Sequence, residues 1–232
     1  MHITPDHVVI WQLGWFHLNA TILYTWGVML LLTLLSWLVT RRLDGPDAPR
    51  SRWRNALEAL VEAIRGQIRE VCPEHGDTYL PFVGTLFLFI GVSNLLEVVP
   101  GWHPPTGSLS TTAALAISVG VAVPVFGILR QGLIGYFRHY LRPTPIMLPF
   151  HLLSETTRNL ALAVRLFGNI MSGSMIVGVL LIIAPIFVPV LLQGLGMLIG
   201  LIQAYIFAIL AMVYIAAAVQ TEQDRQGETS HG

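Results

Sequence analysis

Glu155-Thr156-Thr157-Arg158-Asn159-Leu160-Ala161-Leu162-Ala163-Val164-Arg165-Leu166-Phe167-Gly168-Asn169 carries ionised side chains to the edge of a very apolar region. After Arg165 no Asp, Glu, Lys or Arg appears until Glu222. A guanidinium cannot shed its proton to escape a poor solvent, and at the centre of a membrane helix it costs about 2.5–3.5 kcal/mol. A residue placed there needs a partner or a task. On a helix, His151, Glu155, Arg158, Leu162, Arg165, Asn169 and Ser172 fall on one face, because their spacings alternate four and three.

Around this stripe the 232 residues are 54% hydrophobic and only 11% charged, with a mean hydropathy of +0.66. A soluble domain carries about 25% charge, so the chain reads as an integral membrane protein. The formal net charge is zero and all thirteen basic residues are arginine, which leaves the placement of arginine to decide topology. The single Cys72 excludes an intramolecular disulfide. The N-terminus lacks the basic region, short apolar core and cleavage site of a signal peptide, and its first apolar run is long enough to stay as an anchor.

Residues 1–20 hold Asp6 and no arginine, and the run 21–40 is free of charge and long enough to cross a hydrocarbon core of about 30 Å. Arg41, Arg42, Arg50, Arg52 and Arg54 follow at once, so the positive-inside rule puts this loop in the cytoplasm and the N-terminus outside. Over 51–71 apolar residues recur at helical spacing among Arg54, Glu58, Glu62, Arg65, Arg69 and Glu70, the pattern of an amphipathic helix on the cytoplasmic membrane surface. A second span, 78–99, runs outward and ends in Ser93-Asn94-Leu95-Leu96-Glu97. The next stretch has Pro104, Pro105 and Gly107 and no arginine, as an external loop should. A third span, 112–130, returns to Arg130, Arg138 and Arg142.

Two long segments, 150–184 and 189–220, close the membrane domain, and 221–232 is a cytoplasmic tail. At 1.5 Å per residue the second is about 48 Å long, so the pair is expected to form a strongly tilted hairpin. The expected architecture over 1–232 is one all-α membrane domain of five transmembrane helices and one interfacial helix. On the last helix Gly196, Gly200, Gln203 and Tyr214 share a face, which lets Gln203 stand opposite Arg165 and offer it a carbonyl. Structural roles compete with function here: Arg165 snorkelling or pairing within the bundle, and Glu155 pairing with Arg158 at the surface. Ionisable residues inside a membrane domain nevertheless favour an ion path.

At these residues a family resemblance becomes plain. Ala163-Val164-Arg165-Leu166-Phe167-Gly168-Asn169, followed by Leu201-Ile202-Gln203-Ala204-Tyr205-Ile206-Phe207, resembles subunit a of the F-type ATP synthase, the membrane stator that faces the rotating c-ring. The likeness extends over Leu80-Pro81-Phe82-Val83-Gly84-Thr85, Ser93-Asn94-Leu95-Leu96 and Pro105-Thr106-Gly107-Ser108. It implies two offset aqueous half-channels that lead ions, protons before sodium, to the c-ring carboxylates. Arg165 would separate the half-channels, Gln203 would orient its guanidinium, and Asn169 would lie on the channel face. The implied partners are the c-ring, b-type peripheral stalk subunits and the rest of the synthase in a bacterial inner membrane. The chain itself is expected to be non-catalytic, with no cofactor, no metal and no nucleic acid, because it holds no nucleotide loop, metal-ligand cluster or nucleophile triad.

The chain departs from the family pattern at four positions. Where relatives often carry acidic or histidine side chains it has Ser174, nine places after the arginine, and Gly196, seven before the glutamine. An often acidic position is His151, and a frequent external Asp is Ser108. Glu97 and Glu155 are therefore the candidates for the missing channel groups, with Glu97 as the titrating group of the external path, and Asn94, Arg158, His151 and Ser172 are further candidates along the ion path. Two other classes compete. A secondary transporter would show an internal repeat and broken helices, which are not found. A scaffold that only anchors other subunits would leave the stripe from Arg165 to Asn169 unexplained.

Overall fold

The computed structural model describes residues 9–13, 16–41, 52–73, 76–99, 102–140, 148–183 and 187–220. The expected cytoplasmic tail, the residues linking the last two helices at 184–186, and Arg42, Arg50 and Arg142 lie outside the described residues, as does the side chain of His151. A short hairpin pairs β1 (Val9–Leu13) antiparallel with β2 (Phe16–Asn19). Six α-helices follow: α1 (Ala20–Arg41), α2 (Arg52–Val71), α3 (Gly76–Leu95), α4 (Leu109–Tyr140), α5 (Leu148–Ile183) and α6 (Phe187–Gln220). Five of them are long and apolar enough to cross a membrane, with windows at Ala20–Leu38, Gly76–Val98, Leu109–Arg130, Leu153–Ile182 and Val190–Val219. The protein is an all-α membrane protein with a small β-hairpin at its start. The hairpin had no counterpart in the sequence reading; Val9, Ile10 and Trp11 are strand formers whose pattern is too short to register beside the long apolar run.

The core forms where α3 and α6 pack together. Tyr79, Val83, Leu86 and Ile90 of α3 are buried against Ala204, Phe207, Ala208 and Ala211 of α6. Lipid tails are as apolar as leucine, so helices gain little by hiding apolar surface from one another, and close packing at small residues has to hold them. Gly200 shows how tight this is: a Cβ added there would lie 2.9 Å from Cβ of Asn94. Ala116 and Val119 of α4 and Leu162 and Leu166 of α5 complete the core. Leu162, which helical spacing put on the polar stripe, is only 1% exposed and faces this core instead. Helix α1 is peripheral, burying Val28 but exposing Leu23, Trp26, Leu30 and Leu34, as a lipid-facing helix does.

Helix α2 is clamped to the start of α3. Arg65 donates to both carboxylate oxygens of Asp77, through Nε at 2.7 Å and Nη2 at 2.8 Å, and Arg69 adds Nη2 at 3.2 Å. Buried Ile68 fits over Gly76, where a Cβ would meet its Cγ2 at 2.9 Å. The Tyr205 hydroxyl donates to Oε1 of Gln67 and ties α2 to α6 as well. The apolar span of α4, Leu109–Arg130, stops where the third span was expected to stop; Gly132 follows at φ 73° and ψ 164°, outside the helical region, and a second helical segment runs on to Tyr140. Glycine alone takes that conformation without steric cost, so the chain kinks there between two helical segments.

Gly200→Ala is expected to push Asn94 and α6 apart, destabilising the bundle by about 1–3 kcal/mol through overpacking. The check is thermal unfolding of the purified complex, read by loss of the subunit from the membrane sector; an unchanged transition would show that the gap at Gly200 is not required.

Candidate ion-conducting site

A cavity of about 510 Å³ opens between the end of α3, the connection to α4, and the facing halves of α5 and α6. Glu97, Trp102, His103 and Pro104 stand at one end of it, and Asn94, Asn169, Gly200 and Gln203 at the other. Gln193 and Gln203 both line it, and ten residues of α6 span about 15 Å. The cavity therefore runs from one end of the bundle to the middle of the long helices.

Its inner end is built by amides. Asn94 is 1% exposed; its Nδ2 donates to the Gly200 carbonyl at 2.8 Å, and its Oδ1 accepts from the Thr106 hydroxyl at 2.8 Å. One side chain thus joins α3, α6 and the 3-10 turn Pro105–Gly107. Asn169 Nδ2 donates to Oε1 of Gln203 at 2.8 Å, linking α5 to α6. Gln203 is 3% exposed, and its Nε2 has no acceptor among the described residues. A buried donor without an acceptor is costly unless water or a partner group reaches it, and this one stands where the cavity ends.

The walls from α5 and α6 are largely apolar, with a few neutral polar groups set among them. The Ser174 hydroxyl donates to the Ile170 carbonyl at 2.9 Å, so its oxygen lone pairs remain for water in the cavity. Gln193 Nε2 donates to the backbone carbonyl of Glu97 at 2.9 Å and fixes the 3-10 turn Leu96–Val98 that carries the carboxylate. Gly196 lines the same space and, lacking a side chain, leaves it open. Two of the four positions where the chain departs from the family pattern, Ser174 and Gly196, therefore border one cavity with Glu97.

Arg165 lies one turn of α5 before Asn169, is exposed, and does not line the cavity. The expectation that Gln203 would offer Arg165 its carbonyl is not what the geometry holds: that oxygen is taken by Asn169, and among the described residues the guanidinium meets no acceptor. Arg158, two turns earlier, is also exposed, with its guanidinium carbon 5.4 Å from the ring centre of Tyr214, a cation–π distance. Glu155 is half-buried on the same helix, and Ser172 donates to the Asn169 carbonyl at 3.1 Å. His103, Gln193 and Thr106 were missed by sequence reasoning. Gln193 was findable as a lone amide in the apolar run 187–202, whereas nothing in the pattern separated His103 from an ordinary loop residue.

Fold and cavity define a polytopic membrane protein in which a cavity with a few polar groups enters from one end and stops short of an exposed arginine. The chain belongs to the ATP synthase A chain family, whose model matches residues 22–216. It is 57% identical to ATP synthase subunit a 2 of Acaryochloris marina over 235 residues, covering 100% of both chains. It is 58% identical to ATP synthase subunit a 1 of Chlorobaculum parvum over 223 residues, 96% of this chain and 98% of that one. Against ATP synthase subunit a of Albidiferax ferrireducens the figure is 57% over 220 residues, 95% of each chain. Family membership makes this an ion-translocating, non-catalytic subunit of the membrane sector of an ATP synthase.

If the Asn169–Gln203 bond closes the inner end as a unit, its two members will not act independently. Asn169→Leu, Gln203→Leu and the double variant are expected to lower ion conduction by similar factors, with a coupling of about 1 kcal/mol in the double-mutant cycle. Passive conduction in vesicles stripped of the catalytic head measures it; strictly additive losses would separate the two roles.

Proposed function

We propose that the cavity is the external half-channel of a proton-translocating stator, and that Arg165 separates it from a second, cytoplasmic half-channel. The observation that carries the reading is the geometry of the inner end: a cavity that runs from Glu97 past Ser174 to the Asn169–Gln203 pair, one helical turn from an exposed guanidinium with no partner among the described residues. An arginine at membrane depth needs an acceptor, and the c-ring carboxylates are the proposed acceptors. In this reading α5 and α6 face the ring, b-type peripheral stalk subunits hold the chain still, and the complex sits in a bacterial inner membrane. The end carrying Glu97 is external, with the N-terminus outside and the tail in the cytoplasm.

Protons enter at Glu97 and pass along water beside Ser174, Asn169 and Gln203 to a ring carboxylate. The neutral carboxyl then leaves into lipid. A neutral carboxyl returning from the other side meets Arg165, whose fixed charge favours the ionised form, so the carboxyl gives its proton to the cytoplasmic path and becomes a carboxylate. Glu155, Arg158, His151 and Ser172 are the proposed groups along the stripe that serves that path. Lysine in place of Arg165 could escape by losing its proton; arginine cannot.

Arg165→Ala is expected to abolish ATP synthesis driven by an ion gradient while leaving the complex assembled. Normal ATP-driven pumping in vesicles carrying Arg165→Ala would sink the reading. The orientation is checked separately by cysteines at Thr4 and Ser230, which should label from opposite sides of the membrane; labelling of both from one side refutes five spans.

A further inference from the structure

The outer end of the cavity holds a second titratable group. His103 lies in the connection between α3 and α4, exposed, on the rim of the space that Glu97 also lines, and within electrostatic reach of that carboxylate. Its place is set by aromatic packing from α1. The Tyr24 ring lies 4.8 Å from that of Trp102 and 6.4 Å from that of His103, centre to centre. Gly27, one turn on, also lies against the Trp102 ring, which a Cβ there would meet at 3.5 Å, an ordinary contact distance. A helix otherwise given over to lipid thus spends its outer end on the rim of the cavity.

The chemistry around this pair is one-sided. α5 and α6 offer the cavity only apolar and neutral polar side chains, Ser174, Gln193 and Gly196 among them. Among the described residues, the titratable groups facing His103 are Glu97 and Tyr24. Gln193 bonds the backbone carbonyl of Glu97 rather than its carboxylate, so that carboxylate stays available to a proton donor. Imidazole is the side chain whose charge changes between about pH 5 and 8. A water-exposed imidazole can capture a proton from the outer phase and present it to a half-buried carboxylate behind it.

We propose that His103 is the entry group of the external half-channel and hands protons to Glu97. In the transfer the imidazolium gives up its N–H proton and becomes neutral, the carboxylate becomes a carboxyl, and the imidazole is recharged from outer water. The titratable pair that Ser174 and Gly196 do not supply on α5 and α6 is supplied on the opposite wall of the same cavity. This inference rests on the proton-conducting reading above.

The test uses the whole complex in vesicles with the catalytic head removed, scanning the pH of the phase that faces His103. Unmodified protein is expected to show a conduction step between about pH 6 and 8, and His103→Gln to lose that step, with conduction about tenfold lower above it. Diethyl pyrocarbonate added to the same face should slow the unmodified protein, leaving the residual rate of His103→Gln unchanged. Should His103→Gln fail to assemble, the reagent on unmodified protein and the His103→Asn variant carry the test. Conduction insensitive to the reagent, or an unchanged pH profile in an assembled variant, overturns the role of His103. Glu97→Gln distinguishes the two failures: if it blocks conduction while His103→Gln does not, the half-channel stands and only the entry group falls. If neither matters, the external route through Glu97 falls with it.

Discussion

A single buried amide holds the passage in shape. Asn94 bonds the backbone of α6 at Gly200 and the Thr106 hydroxyl of the following turn, and it does so because α6 has no side chain at the point of contact. In a membrane the backbone groups of a helix are already satisfied, and apolar surfaces gain little by meeting. Directional bonds at close-packed small residues are what remain to fix one helix against another. With α3 and α6 locked there, their outer halves are free to diverge around polar space without the bundle losing its register.

The passage and the arginine obey opposite rules. Asn94 and Gln203 are almost wholly buried and bonded within the chain, so the inner end is preorganised. Arg165 is exposed and partnerless among the described residues. A chain that satisfied Arg165 internally would gain stability and lose the charge as a reagent for another protein. The Gln203 carbonyl oxygen accepts from Asn169, and the guanidinium of Arg165 has no acceptor among the described residues.

Much of this was legible in the residues. Uncharged runs bounded by arginine clusters marked the spans, and the mixed periodicity of 51–71 marked α2, because both are dictated by local patterns that lipid enforces strictly. The polar stripe from Arg165 to Asn169 was visible for the same reason. Its pairing was not: which donor the Gln203 oxygen serves depends on the relative rotation of α5 and α6, and a difference of one turn separates Arg165 from Asn169. Leu162 belonged to the stripe by arithmetic, yet it is core, since a few degrees of helix rotation decide the fate of a residue at the edge of an arc. His103 was invisible because its meaning comes from Glu97 and Tyr24, six and seventy-nine positions away. The kink at Gly132 was missed because a glycine inside an apolar pattern carries no mark of the sign of its φ.

That glycine divides α4 into two segments with separate bookkeeping of length. In an unbroken helix each inserted residue rotates everything beyond it by about 100°, so a change near one end would turn the packed face away from α5. Beyond Gly132 the helix starts afresh, and the faces that Ala116 and Val119 present to the core are set before it. A change of length in the segment that follows therefore leaves the register of the membrane-embedded segment as it is. Glycine at this position thus acts as an insulator between a part of the sequence constrained by its neighbours and a part free to drift.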